Sequence, residues 1–194
     1  IGLPPDTTFS AFAYNQKRQD ITVGTSDGRF AVVDLNYRTN FSSQNVRQVV
    51  AEPKAGPLLP IGTPEHPIVQ IAYGDGGSEK LAAILQDVRG AIEIHAVTLT
   101  QKQTLLGAGK TVVDETFDLT SQVDGEPQTI LINAQADSII VATKTGAIYY
   151  FFREDDDITL RQVFTPFESR DDPAIATINY LLGGVSLILT HASG

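Results

Sequence analysis

The sequence predicts an all-β chain of β-propeller-like, WD-repeat-like blades, three complete and one partial, forming an incomplete or open ring. Three observations predict it. A strand–strand–Gly-turn–strand pattern recurs four times along the 194 residues. The distance from the end of each first strand to its turn glycine is nearly constant. The hairpin strands carry small or apolar residues on both faces, which suits sheets with neighbours on both sides, whereas a sheet with one wet face alternates apolar with polar. A sandwich or barrel is the alternative architecture.

The first repeat, 7–50, opens with "TTFSAFAYN" (7–15). It continues through "DITVGTSDGRFAVVDL" (20–35), two β-rich runs around Asp27-Gly28. That pair reads as a two-residue turn in which both positions take positive φ. "SQNVRQVV" (43–50) is its outer strand. The stretch 51–67 follows, and its five prolines exclude a helix and predict an extended surface excursion.

The second repeat, 67–119, has "PIVQIAY" (67–73), the hairpin "LAAILQDVRGAIEIHAV" (81–97) with a longer turn closing on Gly90, and the outer strand "KTVVDETFDL" (110–119). The third, 127–167, has "PQTILIN" (127–133), "SIIVATKTGAIYYFF" (138–152) turning at Thr145-Gly146, and "ITLRQVFTPF" (158–167). The fourth, 174–194, has "AIATINY" (174–180) and "VSLILTHASG" (185–194), which stops at Ser193-Gly194. Gly28, Gly90, Gly146 and Gly194 are the expected structural turn positions, within a single domain spanning 1–194.

The first strands end at Tyr14, Tyr73, Asn133 and Tyr180, which lie 14, 17, 13 and 14 residues before the turn glycines. The recurring tyrosines read as structural aromatics closing each inner strand; an aromatic ring around a central channel is the alternative. Three complete blades do not close a ring, since closed propellers use roughly 4–8. The chain has no Met and ends within a hairpin, so it reads as a segment of something longer.

Composition narrows the function. A net charge of −9 argues against nucleic acid and anionic membrane surfaces as partners. With no Cys, disulfides and thiolate metal sites are excluded. The acidic run Glu154–Asp157, bracketed by Arg153 and Arg161, reads as a solvated loop. "LLGAGKT" (105–111) is not a phosphate loop, because position 104 is Thr104 rather than Gly and a strand-like run follows in place of a helix. His66, His95 and His191 stand on separate segments and read as surface or packing residues rather than a three-histidine metal site. "GDGGSE" (74–79) lacks calcium-loop spacing and reads as a hairpin turn. No catalytic, cofactor-binding or metal residue emerges, and the expectation is a protein without chemistry of its own.

"NYLLGGVSLILTHASG" (179–194) carries a family resemblance. It resembles the propeller-like extracytoplasmic insertion of long-form bacterial phosphate ABC-transporter permease subunits, in which L-G-G-h-S-h-h-h-(G)-D-S-x-G, with h apolar, leads into V-x-x-W. Leu182, Gly183, Gly184, Ser186, Ser193 and Gly194 fall on that pattern, while His191-Ala192 stand where the family has its acidic turn. The resemblance covers the rest of the chain in architecture only.

It implies a periplasmic segment of an inner-membrane permease, with partner permease and ATPase subunits reached through the parent chain and a periplasmic phosphate-binding protein as a further partner. It assigns no transport residue to this segment. A protein-interaction scaffold unrelated to transport and a propeller enzyme are the alternatives. The isolated segment is expected to self-associate, because strand 185–191 offers an unpaired edge of a kind that recruits other strands.

Overall fold

The computed structural model describes residues 2–15, 20–42, 44, 46–78, 80–102, 110–168, 173–181 and 184–191. Among these the chain is all-β, arranged as several small antiparallel sheets. The first sheet runs β1 (Phe9–Asn15), β2 (Asp20–Thr25), β3 (Arg29–Phe41) and β4 (Arg47–Ala55), with the short β5 (Leu59–Pro60) paired to β3. The second is β6 (Ile68–Asp75), β7 (Lys80–Val88), β8 (Ala91–Lys102) and β9 (Lys110–Asp118), after which a single 3₁₀ turn spans Thr120–Gln122. The third is β10 (Pro127–Ile132), β11 (Ser138–Thr143), β12 (Ile148–Glu154) and β13 (Asp157–Phe164). The fourth is a hairpin of β14 (Ile175–Tyr180) and β15 (Leu187–His191).

All four sheets repeat one irregularity. The first strand slips register against the second between Phe9 and Ala11, Ile68 and Gln70, Pro127 and Thr129, and Ile175 and Thr177. A bulge at the same place in each copy bends the strand and increases its twist. It also aligns the repeats residue by residue. Counting five residues from each leading bulge residue gives Tyr14, Tyr73, Ile132 and Tyr180, paired with Ile21, Ala82, Ile139 and Leu187. Ile132, not Asn133, therefore holds the repeat position, and its distance to Gly146 is 146 − 132 = 14, as between Tyr14 and Gly28.

Asn133 has left the strand to organise the next turn. Its Oδ1 accepts the backbone N–H groups of Asp137 and Ser138, each at 3.1 Å. Asx side chains favour this arrangement because they offer local backbone donors a nearby acceptor.

The hairpin turns invert the expected pairing of sequence with turn type. The two-residue turn with positive φ at both positions is Arg89-Gly90, with φ of 57° and 88°, closed by the pair Val88↔Ala91. Ser26-Asp27-Gly28 is instead a three-residue turn in which Gly28 has φ of 80° and Asp27 stays outside the left-handed region. The cause is Thr25, whose Oγ1 accepts the Arg29 N–H at 3.0 Å and donates to Asp27 Oδ1 at 2.5 Å. Lys144-Thr145-Gly146 repeats this design: Gly146 has φ of 81°, and Thr143 Oγ1 donates to the Ala147 carbonyl at 3.3 Å. Gly194 lies outside the described residues.

The core is divided among the gaps between sheets. Phe30 and Ile61 of the first sheet region pack on Ile68, Ile71, Ala82 and Ile84 of the second. The other face of the second sheet, through Leu81, Ala83, Leu85 and Ile94, packs on Ile139, Val141, Tyr149 and Phe151 of the third. Ile140, Ala142 and Ile148 then turn to Ile175 and Ile178 of the fourth. Successive residues of β7 and β11 thus serve opposite gaps, so these strands are buried along their length. Gly74 shows how close the second and third sheets come. A Cβ there would meet Ile132 Cγ2 at 2.6 Å and the Asn133 carbonyl oxygen at 2.7 Å.

Two expectations about connections are corrected. The proline-rich stretch 51–67 is not a free excursion. Its first part lies in β4, where Pro53 sits opposite Leu35, and prolines are tolerated on an edge strand because no ladder N–H is required. Its later part is tied down by Ile61 N–H to the Gly28 carbonyl (3.1 Å) and by buried Gln86. Gln86 accepts from Thr63 N–H at 2.8 Å and donates to the Thr63 and His66 carbonyls, both at 2.7 Å. The outer strand 43–50 also shifts, since β4 begins at Arg47, while Ser43 and Asn45 lie outside the described residues. The acidic run is the solvated connection expected, in the form of a tight hairpin turn with all four residues exposed. Asp155 and Asp156 form a two-residue turn between Glu154 and Asp157, and Glu154 pairs with Arg161.

Candidate functional site

The structure places the sequence's recurring positions around one concave surface. Tyr14, Tyr73, Ile132 and Tyr180 lie at or near the ends of the first strands of the four sheets and line a depression of about 640 Å³, with Asn133 and Asn179 beside them. β1 lies against β6, and β6 against β10, so the first strands of the first three sheets are neighbours. A cross-sheet hydrogen bond fixes one such junction, from the Ile130 N–H to Gln70 Oε1 at 2.8 Å.

Asn133 and Tyr180 also border a second, more apolar cavity of about 470 Å³ between the third sheet and the β14–β15 hairpin. Sequence reasoning missed it, because Tyr150, Phe152 and Phe164 sit on strands where aromatics read as ordinary core. Its apolar wall comes from Ile140, Tyr150, Phe152, Phe164 and Leu187. Pairing fixes that wall: Ile140 lies opposite Tyr150 and Ser138 opposite Phe152, which puts these four on one face. The Tyr150 and Phe152 rings are tilted at 56° with centroids 6.5 Å apart.

The polar end is a short chain of groups. Asp137 Oδ1 accepts from Asn133 Nδ2 and from Ser138 Oγ, both at 2.7 Å. The Tyr150 hydroxyl stands 3.4 Å from Ser138 Oγ and, since the serine proton is given to Asp137, it donates there. The Tyr180 hydroxyl oxygen is buried and has no hydrogen-bond partner among the described residues. Burial pushes its pKa well above the usual tyrosine range, and the neighbouring Tyr150 and Asp137 push in the same direction. Across this end runs the Leu181–Ser186 turn, closed by Leu181 N–H to the Ser186 carbonyl at 2.8 Å, with Gly184 at φ of 69° against Asn133 and Gln135.

Such a site can bind and orient. The Ser138 hydroxyl donates to a carboxylate, and no histidine lines the cavity, so the base–nucleophile relay of acyl transfer is not assembled there.

The remaining candidates fall elsewhere. His95 is buried, not outward, with Nε2 2.9 Å from Glu93 Oε2, which also accepts from Thr63 Oγ1 at 2.9 Å. His66 lies in the loop held by Gln86, and the His191 ring meets Phe167 edge-on with centroids 5.1 Å apart. Among the described residues no group of three or more His, Cys, Asp or Glu side chains is placed to hold a metal ion. Of "GDGGSE", Asp75 accepts from Gly77 N–H at 2.8 Å and pairs with Lys80 at 2.9 Å, a turn between β6 and β7. In "LLGAGKT", 105–109 lie outside the described residues and Lys110 and Thr111 begin β9.

Asp27 is a strongly perturbed carboxyl. Its bond to Arg29, aided by the Thr25 and Thr7 hydroxyls, lowers its pKa from 3.8 to about 2. It closes the β2–β3 turn, lines neither depression and serves structure.

Compared with known proteins, the chain matches no family model and no curated sequence.

Proposed function

We propose that this chain is a partial β-propeller that acts by binding partners rather than by chemistry, and that it forms the periplasmic part of a bacterial phosphate-importing ABC permease subunit. One observation carries the propeller reading. Four copies of one bulged strand pair stack through shared apolar gaps, and Tyr14, Tyr73, Ile132 and Tyr180 end on the same concave surface. Radially arranged blades bring the ends of their inner strands together in this way, whereas two sheets of a sandwich share a single core.

The transporter reading rests on the L-G-G-h-S resemblance at 182–186. Within it, Gly184 and Ser186 form the turn that leads into β15, so the glycine answers a left-handed backbone and the serine carbonyl closes the turn. Leu182 and Gly183, like Ser193 and Gly194, lie outside the described residues. No helix among the described residues is long and apolar enough to cross a membrane. In this reading the membrane spans, and the contacts with partner permease and ATPase subunits, belong to the parent chain in the inner membrane. The concave surface is the face offered to a periplasmic partner such as the phosphate-binding protein.

Residue labelling tests it. The segment has no cysteine, so Thr39→Cys on the exposed part of β3 gives a single reporter in a parent protein otherwise free of cysteine. A periplasmic location makes that thiol react with a membrane-impermeant maleimide in cells with a permeabilised outer membrane and an intact inner membrane. Labelling only after the inner membrane is opened contradicts the reading.

The reading includes self-association of the isolated chain. Phe12 is 79% exposed and, with Tyr14, faces away from the second sheet beside Val23 and Ile21, which makes an apolar surface that a second copy would cover. Light scattering across micromolar concentrations checks this, and Phe12→Ser is expected to favour the monomer.

A further inference from the structure

The cavity between the third sheet and the β14–β15 hairpin has a chemistry of its own, independent of the transporter reading. Its volume, about 470 Å³, lies within the range that takes small organic ligands. Four aromatic rings, Tyr150, Phe152, Phe164 and Tyr180, line it, and among the described residues its one charged lining residue is the carboxylate Asp137. Among the described residues no Lys or Arg lines it, in a chain whose net charge is −9.

We propose that this cavity binds an organic ammonium cation, a quaternary or alkylated ammonium group carried on a small apolar body. Aromatic faces attract such cations through the ring quadrupole, more strongly when the cation is desolvated. The carboxylate supplies the opposite charge. Its Oδ1 is held by Asn133 and Ser138, so Asp137 is fixed in place rather than free to swing into solvent. The Tyr180 ring adds a further aromatic wall to the cavity.

The same ring system already attracts one cation from outside. The Arg161 guanidinium carbon lies 5.9 Å from the Phe152 centroid, and its charge is matched by Glu154, which keeps it from repelling a second cation. Anionic ligands are disfavoured, since they would face the Asp137 carboxylate.

The test uses the 194-residue chain and two probes of nearly equal shape, choline and its neutral isostere 3,3-dimethyl-1-butanol, titrated by NMR with resonances of the lining residues as the readout. Choline is expected to bind about tenfold more tightly than the isostere, the size of a cation–π contact reinforced by one carboxylate. Asp137→Asn keeps an acceptor oxygen and removes the charge; it is expected to weaken choline about fivefold or more and leave the isostere unchanged. Phe164→Leu keeps an apolar wall and removes a π face, with a smaller loss in the same direction. Equal affinity for the two probes overturns the proposal. So does the absence of any shift at tens of millimolar choline, or choline binding that both substitutions leave untouched. Should a variant fail to fold, the comparison of the two probes on the unaltered chain decides alone.

Discussion

The second sheet and the terminal hairpin are built from the same bulged strand pair and meet opposite environments. In β7, Leu81 to Gln86 are all buried, because alternate side chains enter the gaps towards the first and third sheets. In β15, Leu187, Leu189 and His191 turn towards the third sheet side while Ile188 and Thr190 remain exposed. Local sequence differs little, since both strands are rich in aliphatic residues. What differs is the number of neighbouring sheets. Stability should therefore concentrate in the two central sheets and fall towards β15, and substitutions of similar chemistry should cost very different amounts in the two places.

The largest expected effect is in the central gap. Phe151 is fully buried between the second and third sheets, and Phe151→Ala should lower unfolding stability by about 3–5 kcal/mol, read as a reduced denaturant midpoint. Ile188→Ala on the hairpin removes a side chain that is 49% exposed and should cost about 0.5 kcal/mol or less. Similar losses at the two sites would remove the contrast.

Two turn glycines sharpen the point at intermediate size. Gly146 and Gly90 have nearly the same φ, 81° and 88°, so alanine strains the backbone alike at both, by about 1–2 kcal/mol. At Gly90 an added Cβ meets open space, whereas at Gly146 it runs into the Pro173 carbonyl. Gly146→Ala should exceed Gly90→Ala by about 1–3 kcal/mol, the usual range for overpacking. Equal melting-temperature losses would mean that Pro173 gives way freely.

The smallest effect is electrostatic. Asp27 titrates at about 2 in the folded chain and at 3.8 ordinarily, so its contribution is complete above about pH 4 and disappears as pH falls through 2. Asp27→Asn should flatten that part of the acid-stability profile and leave the profile near neutrality parallel to that of the parent. An unchanged slope between pH 4 and 2 would show that the Arg29 pairing does not survive in solution.

The strands and their glycine turns were legible because each depends on local chemistry: β-rich runs, a left-handed glycine and small residues on both faces. Turn type was less legible, since it was decided by hydrogen bonds between side chain and backbone. Thr25 converts Asp27-Gly28 into a three-residue turn, and nothing in the dipeptide announces that. The repeat register was misread by one residue at Asn133, because the bulge that defines it is a pairing feature with no residue signature. The proline-rich stretch read as an excursion because its anchors, Gln86 and the Gly28 carbonyl, lie far away in sequence. The aromatic cavity was invisible for the same reason: Asp137, Tyr150 and Tyr180 meet only after β14 packs on β11.

Native-state hydrogen exchange at concentrations where the chain is monomeric tests the central claim most directly, because it reads the opening free energy of each strand separately. The account predicts that amides of β7, β8, β11 and β12 exchange only through global unfolding, while those of β15 exchange through local opening and are at least about tenfold less protected. Protection in β15 equal to that in β7 would contradict it, since the hairpin would then be buried on both faces like the sheets at the centre.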